Sequence, residues 1–206
     1  MQLIMGDING KVDHFEEILN QTNFSANDHL IIIGDLIDKS LDSIKVISAV
    51  KRLCEAGQCC CVMTDIIADL LDVFENNAYL KEEKFLLEEN DMYYTYLENP
   101  AIRKEHMDFF KTFPVFIKKD NIVFSHCGDI SLQWTDFNIP TTPSFNFPVD
   151  ENISVFSHYR PGDFKKGAII YKTENSILFN SPEDTVSAWD IDTGKVYQTR
   201  SNKYGY

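Results

Sequence analysis

The sequence predicts an α/β fold, and three observations carry that expectation. Short apolar runs in the first half each stop at an acidic residue. Amphipathic stretches with helical spacing lie between those runs. The second half is a series of short strand-like segments separated by turn residues. Residues 2–5 (QLIM) form the first run and end at Gly6-Asp7. In residues 11–20, Val12, Phe15, Ile18 and Leu19 share one helical face. LIIIGD at 30–35 reads as a strand buried on both faces. Leu41, Ile44, Ile47, Val50 and Leu53 predict a helix over about 41–56, with Gly57 as its stop. QCCCVMTD at 58–65 is a third apolar run with an acidic end, and residues 66–113 read as mostly helical. From Phe113 onward, VFIKK (115–119), NIVFSH (121–126), ISVFSH (153–158), GAIIYK (167–172), SILFN (176–180) and VSAWDID (186–192) read as strands. Residues 134–151, with Pro140, Pro143 and Pro148, read as a loop, and the aromatic and acidic residues at 82–96 as a solvated helical face.

At 206 residues the chain is expected to be one domain, 1–206, carrying a helical segment at about 66–113. A formal net charge of −13 and a pI near 4.7 argue against a nucleic-acid partner and against anionic membrane surfaces, since both depend on Lys and Arg. No apolar run is long enough for a membrane span, and the N-terminus lacks the basic and apolar regions of a signal peptide. Five cysteines, three of them consecutive, make a poor disulfide framework, so reduced thiols and a cytoplasmic location are expected.

In alternating folds, ligand groups gather at the carboxyl ends of strands. Asp7, Asp35, Asp65, His126 and His158 all take that position. Each also has a simpler reading. Asp7 and Asp35 are favoured helix N-cap types, and Asp65 could cap the helix opening DIIADLL. Asn9 suits a turn as well as a ligand site, and the two histidines could be core residues. His14, His29 and His106 read as structural or surface residues, with His29 in a loop. Cys59, Cys60 and Cys61 read as one buried thiol strand, because adjacent strand residues face opposite ways.

Taken together, GDING (6–10), GDLIDKS (34–40), TDII (64–67), SHCG (125–128) and SHYRP (157–161) resemble the ordered motifs of the calcineurin-like metallophosphoesterases. Their phosphoprotein phosphatase branch, with its compact serine/threonine phosphatases and diadenosine tetraphosphatases, is the nearest likeness. SAWDIDTGKVY (187–197) resembles that family's closing strands. The resemblance implies a four-layer α/β/β/α sandwich of two mixed sheets flanked by helices. It also implies two divalent ions bridged by one aspartate and a hydroxide. Asp35 would be the bridge. Asp7 would hold the first ion, with Asn9 where the family has histidine. Asp65, where the family has asparagine, would hold the second ion with His126 and His158. Carboxylate and imidazole suit Mn, Fe or Zn, and the extra oxygen donors lean this site toward Mn, Mg or Ca.

Three departures bear on activity. Ile66 stands where the family has its general-acid histidine, a loss worth about 10²–10⁴-fold. Lys39 replaces an arginine and keeps the charge without the bidentate fork. Asp38 has lost its customary histidine and could pair with Lys39, while Arg160 is placed to take over phosphate binding. Two expectations follow: a metal-dependent phosphoesterase of altered or reduced activity on a phosphomonoester or phosphoprotein, or a pseudophosphatase that binds a protein partner.

Overall fold

The computed structural model describes residues 1–38, 42–76, 91–126, 153–157, 170–172, 176–179 and 185–199. Lys39, Cys127, His158, Arg160 and the expected loop at 134–151 lie outside them. Ten strands and five helices are described. The strands are β1 (Gln2–Met5), β2 (His29–Ile32), β3 (Cys59–Cys61), β4 (Phe116–Lys119), β5 (Ile122–Ser125), β6 (Ile153–Phe156), β7 (Ile170–Lys172), β8 (Ser176–Phe179), β9 (Ser187–Asp190) and β10 (Val196–Gln198). The helices are α1 (Val12–Gln21), α2 (Asp42–Glu55), α3 (Asp65–Asn76), α4 (Asp91–Glu98) and α5 (Pro100–Phe110).

The strands form two mixed five-stranded sheets, in the orders β10-β9-β1-β2-β3 and β4-β5-β6-β8-β7. In the first, β1, β2 and β3 run parallel, while β9 joins the free side of β1 antiparallel, with Leu3 opposite Asp190. In the second, β5, β6 and β8 run parallel between antiparallel edges.

Strand alternation builds the layers. On β1 and β2, Leu3, Met5, Leu30 and Ile32 join a core with Phe15, Ile18, Val46, Ile47 and Phe110 from the helices. Ile4 and Ile31 point the other way and meet Phe124, Val155 and Phe179 of the second sheet. Both faces of the central strands are therefore buried, which is why 30–33 reads as an unbroken apolar run. The result is the expected α/β sandwich of two mixed sheets. Helices cover the outer face of the first sheet, and any helical cover on the second falls outside the described residues.

Local signals set the helix ends. Gly57 (φ +74°) takes the left-handed conformation that ends α2. Asn99 caps α5 by accepting from the Ile102 N–H, with Pro100 in the first turn. Three details correct the sequence reading. Tyr93 and Tyr96 are buried, and only Tyr94 of that cluster is exposed, because α4 packs on α5. His29 opens β2 instead of sitting in a loop. The thiol strand is only partly buried, since β3 is a sheet edge: Cys61 is buried, Cys59 half-buried and Cys60 exposed.

Candidate metal centre

The site is built where β1 and β2 end side by side. The loop after β1 is stitched to the loop after β2: the N–H groups of Ile8 and Asn9 both donate to the Asp35 carbonyl (2.7 and 2.9 Å), and Gly10 N–H donates to Leu36 O. In return, Asp35 N–H donates to Asp7 Oδ1 at 3.0 Å. This close approach needs Gly34. A Cβ there would lie 2.3 Å from Asp7 N and Oδ1, far inside any tolerable contact. The glycine preceding Asp35 is thus a packing requirement of the two-loop junction.

Neither Asp7 nor Asp35 caps a helix, since α1 begins at Val12 and α2 at Asp42. Asn9 has φ +49° and its N–H is used in the junction, as its turn reading anticipates. Asp38 is engaged by α2: the Ser43 hydroxyl donates to its Oδ1 at 2.9 Å. The structure therefore gives Asp38 a helix residue as partner.

The second half of the chain supplies an imidazole. His126, at the end of β5, is 1% exposed. Its Nε2 lies 3.4 Å from Asp65 Oδ1 and 3.9 Å from Asp35 Oδ1. The donor atoms of Asp35, Asp65 and His126 all fall within 4.8 Å of one another. Asp65 opens α3, its Oδ1 accepts from Ile66 N–H at 3.0 Å, and it faces His126.

The other ring nitrogen fixes the tautomer. His126 Nδ1 lies 3.0 Å from Ile33 O and 3.1 Å from Ser157 Oγ. The Ser157 hydroxyl itself donates to Ile33 O at 2.7 Å, so both neighbours of Nδ1 act as acceptors. Nδ1 therefore carries a hydrogen, and Nε2 faces the carboxylates as the nitrogen that must give up its proton to become a ligand. A histidine tethered through Nδ1–H to a carbonyl is the usual support for a metal ligand. Sequence reasoning missed Ser157. Both strands end in VFSH, which invites pairing His126 with His158. The register is shifted by one: Phe124 faces Val155, and Ser157 N–H bonds to His126 O.

Burial and neighbouring charges shift two of the donors. Burial, reinforced by the charges of Asp7 and Asp65, raises the Asp35 carboxyl to about 7 despite the opposing effect of His126. Burial would lower the His126 pKa, but the Asp65 hydrogen bond and the surrounding carboxylates outweigh it and raise the imidazole to about 9. Asp35 Oδ1 is also shut off from solvent without a hydrogen-bond partner. A buried acceptor left in that condition is costly unless something positive meets it. An orphan carboxylate oxygen, a second carboxylate and an imidazole nitrogen together fit a divalent ion with mixed oxygen and nitrogen ligands.

The chain is 31% identical over 134 residues to the symmetrical bis(5'-nucleosyl)-tetraphosphatase of Proteus mirabilis, covering 64% of this chain and 45% of that protein. It is 25% identical over 139 residues to the asymmetrical bis(5'-nucleosyl)-tetraphosphatase PrpE of Oceanobacillus iheyensis, covering 61% and 55%. Among solved structures, the metallophosphoesterase of Sphaerobacter thermophilus superposes with a TM-score of 0.53 at 13% identity, covering 97% of this chain and 86% of that one. The chain is thus similar in sequence to bis(5'-nucleosyl)-tetraphosphatases and in fold to a metallophosphoesterase, in keeping with the family that its motifs resemble. No family model matches it. It spans about half the length of the curated relatives it matches. The candidate centre joins ends of strands from both sheets. Asp7 lies beside Asp35 rather than in the tightest three-donor group, while Lys39, His158 and Arg160 fall outside the described residues.

Proposed function

We propose that the chain is a metal-dependent phosphoesterase of the phosphoprotein phosphatase type, acting on phosphomonoesters or phosphoproteins. One observation carries the reading: the orphan Asp35 Oδ1 shares a space less than 4.8 Å across with Asp65 and with His126, whose Nε2 faces both carboxylates. Asp35, Asp65 and His126 would hold a divalent ion, with Asp7, Asn9 and His158 as candidates to complete one or two sites and Mn as the first choice of metal. Bound ions would neutralise phosphoryl oxygens and lower the pKa of an attacking water.

The protein's own groups do the rest. The Asp35 backbone N–H holds the Asp7 carboxylate in place at the junction of the two loops. The Ile33 carbonyl holds the imidazole at one angle. Lys39 and Arg160 are the cations proposed to steady the phosphate. Ile66 packs against the helical core and has no proton to give, so the leaving group must take one from water or substrate. Aryl phosphates, whose leaving groups need little acid assistance, should be the best substrates.

The test is hydrolysis of an aryl phosphate with Mn by the wild type and by Asp35→Asn. A rate that requires Mn and vanishes in Asp35→Asn supports the reading, and equal rates in the two proteins overturn it. The names of the two sequence relatives make a dinucleoside tetraphosphate the second substrate to assay. Ile66 is also the observation behind the other reading, a pseudophosphatase that binds a protein partner. Under that reading neither substrate turns over, and no divalent ion raises the melting temperature.

A further inference from the structure

The Asp35 centre is not the chain's only convergence of metal-binding side chains. Cys54 lies in the last turn of α2, and Cys59 and Cys61 lie on β3. Positions 59 and 61 are two apart on a strand, so they face the same way, toward α2, which packs on β3. Their sulfurs and that of Cys54 all lie within 4.8 Å of one another. Cys60 takes the other face, its thiol pointing toward Leu30 O. The short run from Cys54 to Cys61 therefore sends three thiols to one point and a fourth away.

We propose that Cys54, Cys59 and Cys61 form a three-thiolate site for a soft, closed-shell metal ion of the Zn(II), Cd(II) or Cu(I) class. Thiolate sulfur selects such ions over Mn or Mg, so this site and the oxygen-rich centre at Asp35 take different metals. Among the described residues, the group contains sulfur donors only. Drawing sulfurs from 4.8 Å to the spacing of a shared ion, with Zn–S bonds of about 2.3 Å, requires contraction of about 1 Å, within reach of side-chain rotation. Cys54 and Cys59 are half-buried, which leaves an approach for the ion, and buried Cys61 closes the inner side. Binding forms three metal–sulfur bonds and releases the protons the thiols carry, with no change of oxidation state. The cluster is already polarised for this. Hydrogen bonds from Cys59 and Cys61 bring the Cys54 thiol down to about 4, while Cys59 and Cys61 are pushed up.

The position gives the ion a structural consequence. It would pin the C-terminal end of α2 to the edge strand β3, four residues before Asp65.

The test titrates Cd(II), then Zn(II), into the reduced Cys60→Ser/Cys127→Ser protein, which keeps only the three clustered thiols. Expected are one ion per chain, an ultraviolet thiolate-to-cadmium charge-transfer band, and displacement of Cd(II) by Zn(II) with loss of the band. Adding Cys54→Ser, Cys59→Ser or Cys61→Ser should remove the band, whereas His126→Ala should leave it intact. If Cys61→Ser fails to fold, Cys54→Ala, at a half-buried position, decides the matter. No band in the folded parent, a band that survives loss of Cys54, or a disulfide between two of the three cysteines that persists in reductant and blocks uptake would overturn the proposal.

Discussion

At the proposed Asp35 centre, protons and a divalent ion would compete for the same donor atoms, so the raised pKa values set a measurable pH dependence for metal binding. His126, at about 9, must lose its Nε2 proton before that nitrogen can ligate. Asp35, at about 7, must lose its own below that pH. The two sites interact, so these are steps of the pair. Between pH 7 and 9, one proton competes and the apparent affinity for Mn should rise about tenfold per pH unit. Between pH 6 and 7 a second proton joins, and the slope approaches about a hundredfold per unit. From pH 6 to 8.5 the predicted gain is therefore on the order of 10³-fold or more. Calorimetric titration in buffers of different ionisation enthalpy reads both the affinity and the protons released. Release should fall from nearly two per ion at pH 6 toward one at pH 8. In His126→Ala the limb above pH 7 should disappear. A Mn affinity that is flat from pH 6 to 8.5, or proton release unchanged by His126→Ala, would refute the reasoning.

The same shifts set stability without metal. Both folded pKa values are raised, so His126 contributes stability fully present below about 6.5 and lost as pH rises through about 9, and Asp35 contributes stability present below 3.8 and lost through about 7. In chelator, the melting temperature should fall from pH 6 to 9, and Mn should reverse the trend. Ser157→Ala removes the hydroxyl beside His126 Nδ1 and should weaken Mn binding about 10–100-fold with the fold retained, as read by calorimetry and circular dichroism. Gly34→Ala drives a methyl group into Asp7 backbone and side chain, and should cost about 3 kcal/mol in urea unfolding while displacing the Asp7–Asp35 contact. Tyr96→Phe deletes the hydroxyl that meets buried His106 Nδ1 at 2.8 Å, and should cost about 1–3 kcal/mol in the same assay.

The parts of this architecture that obey local rules were legible in the residues. LIIIGD could be recognised as a strand buried on both faces because parallel central strands alternate between two apolar layers. The strand-end rule selected Asp7, Asp35, Asp65, His126 and His158; the structure brings Asp35, Asp65 and His126 together and sets Asp7 beside Asp35, while His158 lies outside the described residues. What the residues did not disclose depends on register and on distant partners. The shift that sets Ser157 beside His126 is hidden by the repeated VFSH. The thiol cluster was hidden because attention to three adjacent cysteines separates them by face and omits Cys54 on the neighbouring helix. Tyr93 and Tyr96 are polar enough to suit a surface, yet they are buried by α5 and Phe74, contacts that helical periodicity cannot show.

The pairing of β9 with β1 has a consequence for how the protein acquires its shape. The N-terminal strands can assemble as soon as they are synthesised, because β1, β2 and β3 are joined by local helical crossovers. One side of β1 still presents unpaired backbone groups until Ser187–Asp190 arrives from the far end of the chain. Closing a contact between Leu3 and Asp190 is slow by its sequence separation alone. A nascent chain therefore carries an open, largely apolar strand edge through most of its synthesis, the kind of edge that recruits other chains. Truncation before residue 187 should yield aggregates even though every ligand named above for the Asp35 centre would still be present.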